Sequence, residues 1–146
     1  MRLYPAFIAL TLVVSTASCS QKNIQLHIVL NSNQCGFTQQ QFKTIQSEQQ
    51  LKQLFNQHAF NNPLKNLKAI DFQTSSLILL SMGSQSTAGY SIQLNSPIAT
   101  LKNNAIKVDA TFIKPKAGSM NAQVLTSPCA LYVTDKLGDI RITLAQ

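Results

Sequence analysis

Apolar residues recur along the chain mostly at every second position, the period of a strand with one buried face. Ile24, Leu26, Ile28 and Leu30 alternate with polar neighbours and predict a half-buried strand over 24–30. The amide-rich stretch 31–41, which contains Cys35-Gly36, reads as a loop. The period then changes. Ser47 followed by Gln50 forms a capping box, Glu48 suits a first helical turn, and Leu51, Leu54, Phe55 and His58 recur at helical spacing. Asn61-Asn62-Pro63 is expected to end that helix.

Strand patterns follow. Residues 76–82 are a continuous apolar run bounded by Gly83-Ser84, as in a strand covered on both faces. Tyr90, Ile92 and Leu94 alternate with polar residues, and so do Ile106, Val108, Ala110 and Phe112. These two segments are read as an antiparallel hairpin, with Lys102-Asn103-Asn104 as turn-forming residues ahead of the second. Residues 123–125, 130–134 and 140–144 are three further short strands. The expected fold class is α+β, a mainly antiparallel sheet or sandwich of about seven short strands with one N-terminal amphipathic helix. One domain, residues 24–146, accounts for the pattern, without internal repeats or coiled coil.

The first residues read as an address. Arg2 is followed by an apolar run over 6–14 and by Ser15-Thr16-Ala17-Ser18-Cys19. The run is shorter than the roughly 20 residues that span a bilayer and fits a secretory h-region. A Cys directly after small residues is similar to a bacterial lipobox, with 1–18 as the signal peptide, Cys19 as the lipid-attachment residue and 19–23 as a tether. Thr16 stands where such boxes carry Leu, so Ser15-Thr16-Ala17 also suits ordinary signal peptidase cleavage. The expectation is a cell-envelope protein lipid-anchored at the outer membrane, facing the periplasm or the surface.

Composition sharpens this picture. Only 12% of residues are charged, while 16 Gln and 11 Asn supply neutral polarity, a balance unlike that of an ordinary cytosolic enzyme. The net charge of +7 is scattered. The local clusters Lys65-Asn66-Leu67-Lys68 and Lys114-Pro115-Lys116 lack interleaved aromatics, so nucleic-acid binding is not expected. Apart from Cys19, the cysteines are Cys35 and Cys129. In an oxidising compartment they would form one bridge; the alternative is a pair of buried free thiols.

Catalytic templates do not fit. Gly89-Tyr90-Ser91 lacks the second Gly of a nucleophile elbow, and Ser91 falls within a strand pattern. His27 and His58 have no ligand spacing around them, so no metal is expected. The acids Glu48, Asp71, Asp109, Asp135 and Asp139 suggest no general acid and base pair. The scattered glycines form no phosphate cradle, and no cofactor is expected. The reading is a protein that is not an enzyme.

One stretch is more specific: residues 77–94, with Ser86-Thr87-Ala88-Gly89-Tyr90-Ser91-Ile92 at its centre, followed later by Leu125-Thr126-Ser127-Pro128. With the preceding helix and the Ala69-Ile70-Asp71-Phe72 link, this order resembles the C-terminal domain of the PrcB family, named for a lipoprotein subunit of a spirochaete surface protease complex. Members carry a Thr-Gly-Gly-Tyr-Ser-type segment and a later Thr-Ser-Pro; here Ala88 replaces the first Gly and Cys129 follows the Pro. The resemblance spans about residues 44–144 and implies a protein-binding accessory role beside a protease, with membrane contact through the lipid anchor. Thr87, Ala88, Gly89 and Tyr90 are the expected partner-binding residues, together with a second loop at 118–120. Gly89 permits a turn with positive φ, and Tyr90 offers broad contact area at low rotamer cost. The alternative is that Gly89 is a hairpin turn and Tyr90 a core residue. Thr87-Ala88-Gly89-Tyr90 is also similar to a loop of chagasin-type protease inhibitors, although the chain has no Trp and lacks their third loop; such an inhibitor, or a structural envelope domain without a dedicated partner, is the alternative to the accessory role.

Overall fold

The computed structural model describes residues 20–56 and 70–145. The signal segment 1–18, Cys19, His58, the 61–63 helix stop and the 65–68 basic cluster lie outside the described residues.

Among the described residues there are ten strands and one helix, in the order β1 (Lys22–Gln25), β2 (His27–Ser32), β3 (Gln40–Ile45), α1 (Glu48–Asn56), β4 (Ser75–Met82), β5 (Ser91–Leu94), β6 (Ile98–Lys102), β7 (Ala105–Val108), β8 (Ala110–Ile113), β9 (Cys129–Asp135) and β10 (Arg141–Leu144). The fold is therefore mainly β, and the expectation of α+β with about seven strands is corrected. The predominance of antiparallel pairing holds; β7–β10 is the parallel pair.

The first sheet runs β2-β9-β4-β3. Its middle strands explain the continuous apolar run. Ile78, Leu80, Met82, Ala130 and Tyr132 enter one core, while Leu77, Leu79, Cys129 and Leu131 enter another on the opposite face, with Cys35, Phe37, Ile45, Leu51 and Leu54. Both faces are thus covered, one by α1 and the loop around Phe37. The other is covered by a second sheet, β1-β6-β7-β10, and by the two-stranded ribbon β5-β8.

The helix starts where its cap predicts. The Gln50 N–H donates to Ser47 Oγ at 3.2 Å, and Gln50 Oε1 accepts from the Gln46 N–H at 2.7 Å, one residue before the expected reciprocal partner. Lys52 Nζ sits 2.7 Å from Glu48 Oε1, and this hydrogen bond and its charge hold the Glu48 carboxyl below its ordinary pKa.

Several expectations change, each because a strand changes partner. The predicted 24–30 strand breaks at Leu26, whose N–H donates to the Pro97 carbonyl at 2.7 Å; β1 joins β6 and β2 joins β9. A register irregularity between Ile28 and Leu30 then disturbs the alternation and leaves Ile28 57% exposed. Because β1 begins at Lys22, the expected tether over 19–23 runs into a strand. The loop expected over 31–41 ends in the edge strand β3. The 106–112 pattern splits at Asp109, whose carbonyl accepts the Asn95 N–H at 2.8 Å. Its second half, β8, does pair antiparallel with β5, but β6 and β7 intervene, so the pair is not a hairpin. The local hairpin is β6–β7, closed by Asn103 (φ 51°) and Asn104 (φ 55°), the left-handed pair of a two-residue type I′ turn. Residues 123–125 form no strand.

Cys35 and Cys129 are joined by a disulfide, both sulfurs buried, which resolves the two alternatives for that pair. Nearby, Ser127 Oγ donates to the Phe37 carbonyl at 2.9 Å, and the Cys35 N–H donates to the Ser127 carbonyl at 2.9 Å. The Thr126-Ser127-Pro128 motif is thus a buried staple holding the loop before β3 against the start of β9.

Candidate functional site: two interlocked loops and a groove

Beyond β4 the chain reverses at Gly83, where φ is +73° and an added Cβ would lie 2.7 Å from backbone atoms of Gln39 and Gln40. Residues 84–90 then lie along the long loop that follows β8. Gln85 and Thr126 exchange backbone hydrogen bonds at 2.7 and 2.9 Å. Thr126 Oγ1 donates to the Thr87 carbonyl at 3.1 Å, and the Ala88 N–H to the Ala122 carbonyl at 3.0 Å. Gly89, with φ +95°, fits closely: a Cβ there would meet Asn121 Oδ1 at 3.1 Å and Pro115 Cβ at 3.3 Å. The loop over 114–125 is itself braced, since Ser119 Oγ donates to the Lys116 carbonyl at 2.6 Å and Asn121 Nδ2 to Ser119 Oγ at 2.6 Å.

The two loops named from the sequence, 86–90 and 118–120, therefore form one unit. Within it Thr87 and Ala88 are half-buried, Gly89 is exposed, and Tyr90 is half-buried against the first core. Gly89 is not a hairpin turn. The exposed apolar surface comes from the other loop: Met120 is fully exposed, Leu125 is 74% exposed, and Val124 is exposed beside it. Met120 falls in the loop expected from the sequence. Val124 and Leu125 were hidden by the strand expected over 123–125, although Ser127-Pro128 just after them marks where regular alternation stops.

A groove of about 690 Å³ opens beside the β5–β8 ribbon, lined by residues 25–28, Asn31, residues 91–94, Pro97, Ile113 and Tyr132. His27 and Ser91, neither of which has a catalytic setting in the sequence, both border it, and no carboxylate is among the lining residues. Among the described residues no cluster of His, Cys, Asp and Glu could hold a metal.

Tyr132 is buried in this region, and its hydroxyl has no hydrogen-bond partner among the described residues. Burial pushes its pKa up to about 12. The folded state therefore keeps the phenol neutral where an unfolded chain ionises, near roughly pH 10. Stability from this source is intact below that pH and declines as pH rises from about 10 towards 12. Tyr132→Phe is expected to flatten that decline in melting temperatures taken from pH 9 to 12; an unaltered alkaline slope would contradict the assignment.

Residues 76–135 match the family model described as PrcB C-terminal. This stretch is similar to a PrcB C-terminal domain. The match runs from β4 to β9 and so contains the central strand pair, the β5–β8 ribbon, the β6–β7 hairpin and both interlocked loops. It is narrower than the 44–144 span expected from the sequence. β1, β2, β3, α1 and β10 flank the matched PrcB segment and complete its two sheets. Comparison with curated proteins and with solved structures gave no match.

Proposed function

We propose that the protein is a non-enzymatic accessory subunit of a protease complex in the bacterial cell envelope. It is held at the outer membrane by lipid on Cys19 and binds its partner through the interlocked loops. The similarity to a PrcB C-terminal domain supports association with a protease complex. The observation that carries the binding surface is the exposed apolar group Met120, Val124 and Leu125, mounted on a loop that hydrogen bonds pin to residues 85–88. Apolar side chains on a braced loop lose little entropy when they dock, which favours affinity. Thr87, Ala88, Gly89 and Tyr90 serve this surface: the first three carry the contacts to the long loop, and Tyr90 anchors the segment to the core. Lys114 and Lys116 add exposed positive charge at its margin, suited to an acidic rim on the partner.

The test is detergent extraction of the tagged protein, identification of a co-purifying protease, and affinity measurement with variants. Leu125→Asp combined with Met120→Ala is expected to weaken binding at least about 10-fold while leaving the melting temperature nearly unchanged, because both residues lie at the surface. Tyr90→Ala is expected to weaken binding and also to lower stability, given its packing against the core. Unchanged binding in the Leu125/Met120 variant overturns the surface assignment. Recovery of no protease overturns the accessory-subunit reading.

A further inference from the structure

The groove beside the ribbon has walls of an unusual kind. Side chains on one strand face recur at every second position, yet here consecutive residues line the cavity: Gln25, Leu26, His27 and Ile28 on one side, Ser91, Ile92, Gln93 and Leu94 on the other. A wall built from consecutive residues is a strand edge. The sheet order agrees, since among the described residues β2 pairs with β9 alone and β5 with β8 alone. On the first wall Gln25 belongs to β1 and pairs with Ile98, and the Leu26 N–H is taken by the Pro97 carbonyl, so the free edge there begins at His27; along β5 the outward backbone N–H and C=O groups have no ladder partner.

One bond crosses between these edges from a side chain. Asn31 Nδ2, from β2, donates to the Ile92 carbonyl of β5 at 3.3 Å. A carboxamide N–H has the chemistry of a backbone amide, so Asn31 fills the place that the N–H of a neighbouring strand would take. Tyr132, bordering the same cavity, holds a buried hydroxyl without a partner among the described residues. A buried polar group left unpaired loses the hydrogen bonds that water would give it. Ile28 and Ile113 expose apolar surface at the rim. No Lys, Arg, Asp or Glu is among the lining residues, which makes this a neutral patch in a chain of net charge +7.

We propose that the groove binds an extended, uncharged peptide segment of a protein partner, added as a strand along the free edge of β5. The incoming N–H replaces Asn31 on the Ile92 carbonyl, apolar side chains lie against Ile28 and Ile113, and a polar group of the peptide meets the Tyr132 hydroxyl. The four residues of β5 offer an edge of roughly 13 Å, enough for a core of about four residues. A small apolar molecule would leave the outward groups of β5 unpaired, whereas an added strand satisfies them along its length. The accessory-subunit reading bears only on which protein supplies the segment; the binding mode stands apart from it.

The probe is a phage-displayed library of random linear nonapeptides, panned on the purified, oxidised protein and counter-selected on an unrelated domain. Enriched peptides are expected to be uncharged, with apolar residues at alternate positions. Ile28→Arg and, separately, Gln93→Arg replace exposed residues at the groove and are expected to weaken the best peptide at least 10-fold with the fold retained. Tyr132→Phe is expected to weaken it several-fold. Amide hydrogen exchange is expected to slow in residues 91–94 on binding. No enrichment, binding that survives both groove variants, or unchanged exchange in β5 overturns the proposal. Because no protease enters this experiment, failure here leaves the proposed subunit role standing, and failure to recover a protease leaves the groove result standing.

Discussion

Replacing Cys35 and Cys129 together with alanine is expected to lower the free energy of unfolding by roughly 4–5 kcal/mol. The bridge joins residues 94 positions apart, so in the unfolded chain it closes a loop across most of the domain. It also sits where two segments depend on one another. The loop before β3 carries Phe37, 1% exposed, into the second core, and it reaches the sheet through the Cys35–Ser127 and Ser127–Phe37 hydrogen bonds. Without the bridge the loop depends on non-covalent contacts, these hydrogen bonds and others such as that from the Ser84 N–H to the Thr38 carbonyl. Denaturant titrations of the oxidised protein, the reduced protein and the double variant provide the test, with the last two expected to agree. A loss below about 1 kcal/mol would contradict this account, since it would mean that the reduced unfolded chain is already constrained.

Leu79→Ala is expected to cost about 2–5 kcal/mol, the range for truncating a fully buried Leu. Leu79 lies midway along β4, opposite Lys43 of β3 and Leu131 of β9, with its side chain in the core shared with Leu51 and Leu54 of α1. Sheet neighbours on both sides and a helix above limit how far the surroundings can collapse into the void. Leu125→Ala provides the contrast, because that side chain is mostly exposed and its truncation should stay within about 0.5 kcal/mol. Midpoints of chemical denaturation for the two variants should therefore separate widely. Similar losses at both positions would mean that Leu125 is buried in solution.

The sequence showed most plainly the elements whose burial is two-sided or whose signal is local. β4 stood out because covering both faces demands mostly apolar residues, with Ser76 and Ser81 as its buried polar exceptions. The Ser47 cap and the Asn103-Asn104 turn were readable from neighbouring residues alone. β3 was missed because an edge strand tolerates Gln40, Gln41 and Lys43, and the first two fall in the amide-rich stretch that reads as loop. β6 was missed because Ala99 is its one fully buried residue. The breaks at Leu26 and Asp109 left no mark, since alternation continues through each while the hydrogen-bonding partner changes, and partner choice is a long-range property. The candidate site divides in the same way. The position of the 86–90 loop was legible from Gly89 and Tyr90, but its docking onto residues 115–126 depends on contacts far apart in sequence. The groove was invisible for the same reason, because residues 25–31 and 91–94 meet only in the folded chain.

The order β1-β6-β7-β10 has a consequence in time. The β6–β7 hairpin, with its two-residue turn, can form within about 1–10 μs. Its flanking strands come from opposite ends of the described chain, and β10 joins in parallel, a pairing no short turn can guide. Such non-local closures place a domain among the slower folders, in the range of milliseconds to seconds. During synthesis the free edge of β7 stays open until residues 141–144 have emerged. Over that interval it is a template on which a second nascent copy can pair, so the hazard is set by the arrival of the last strand rather than by the stability of the finished fold.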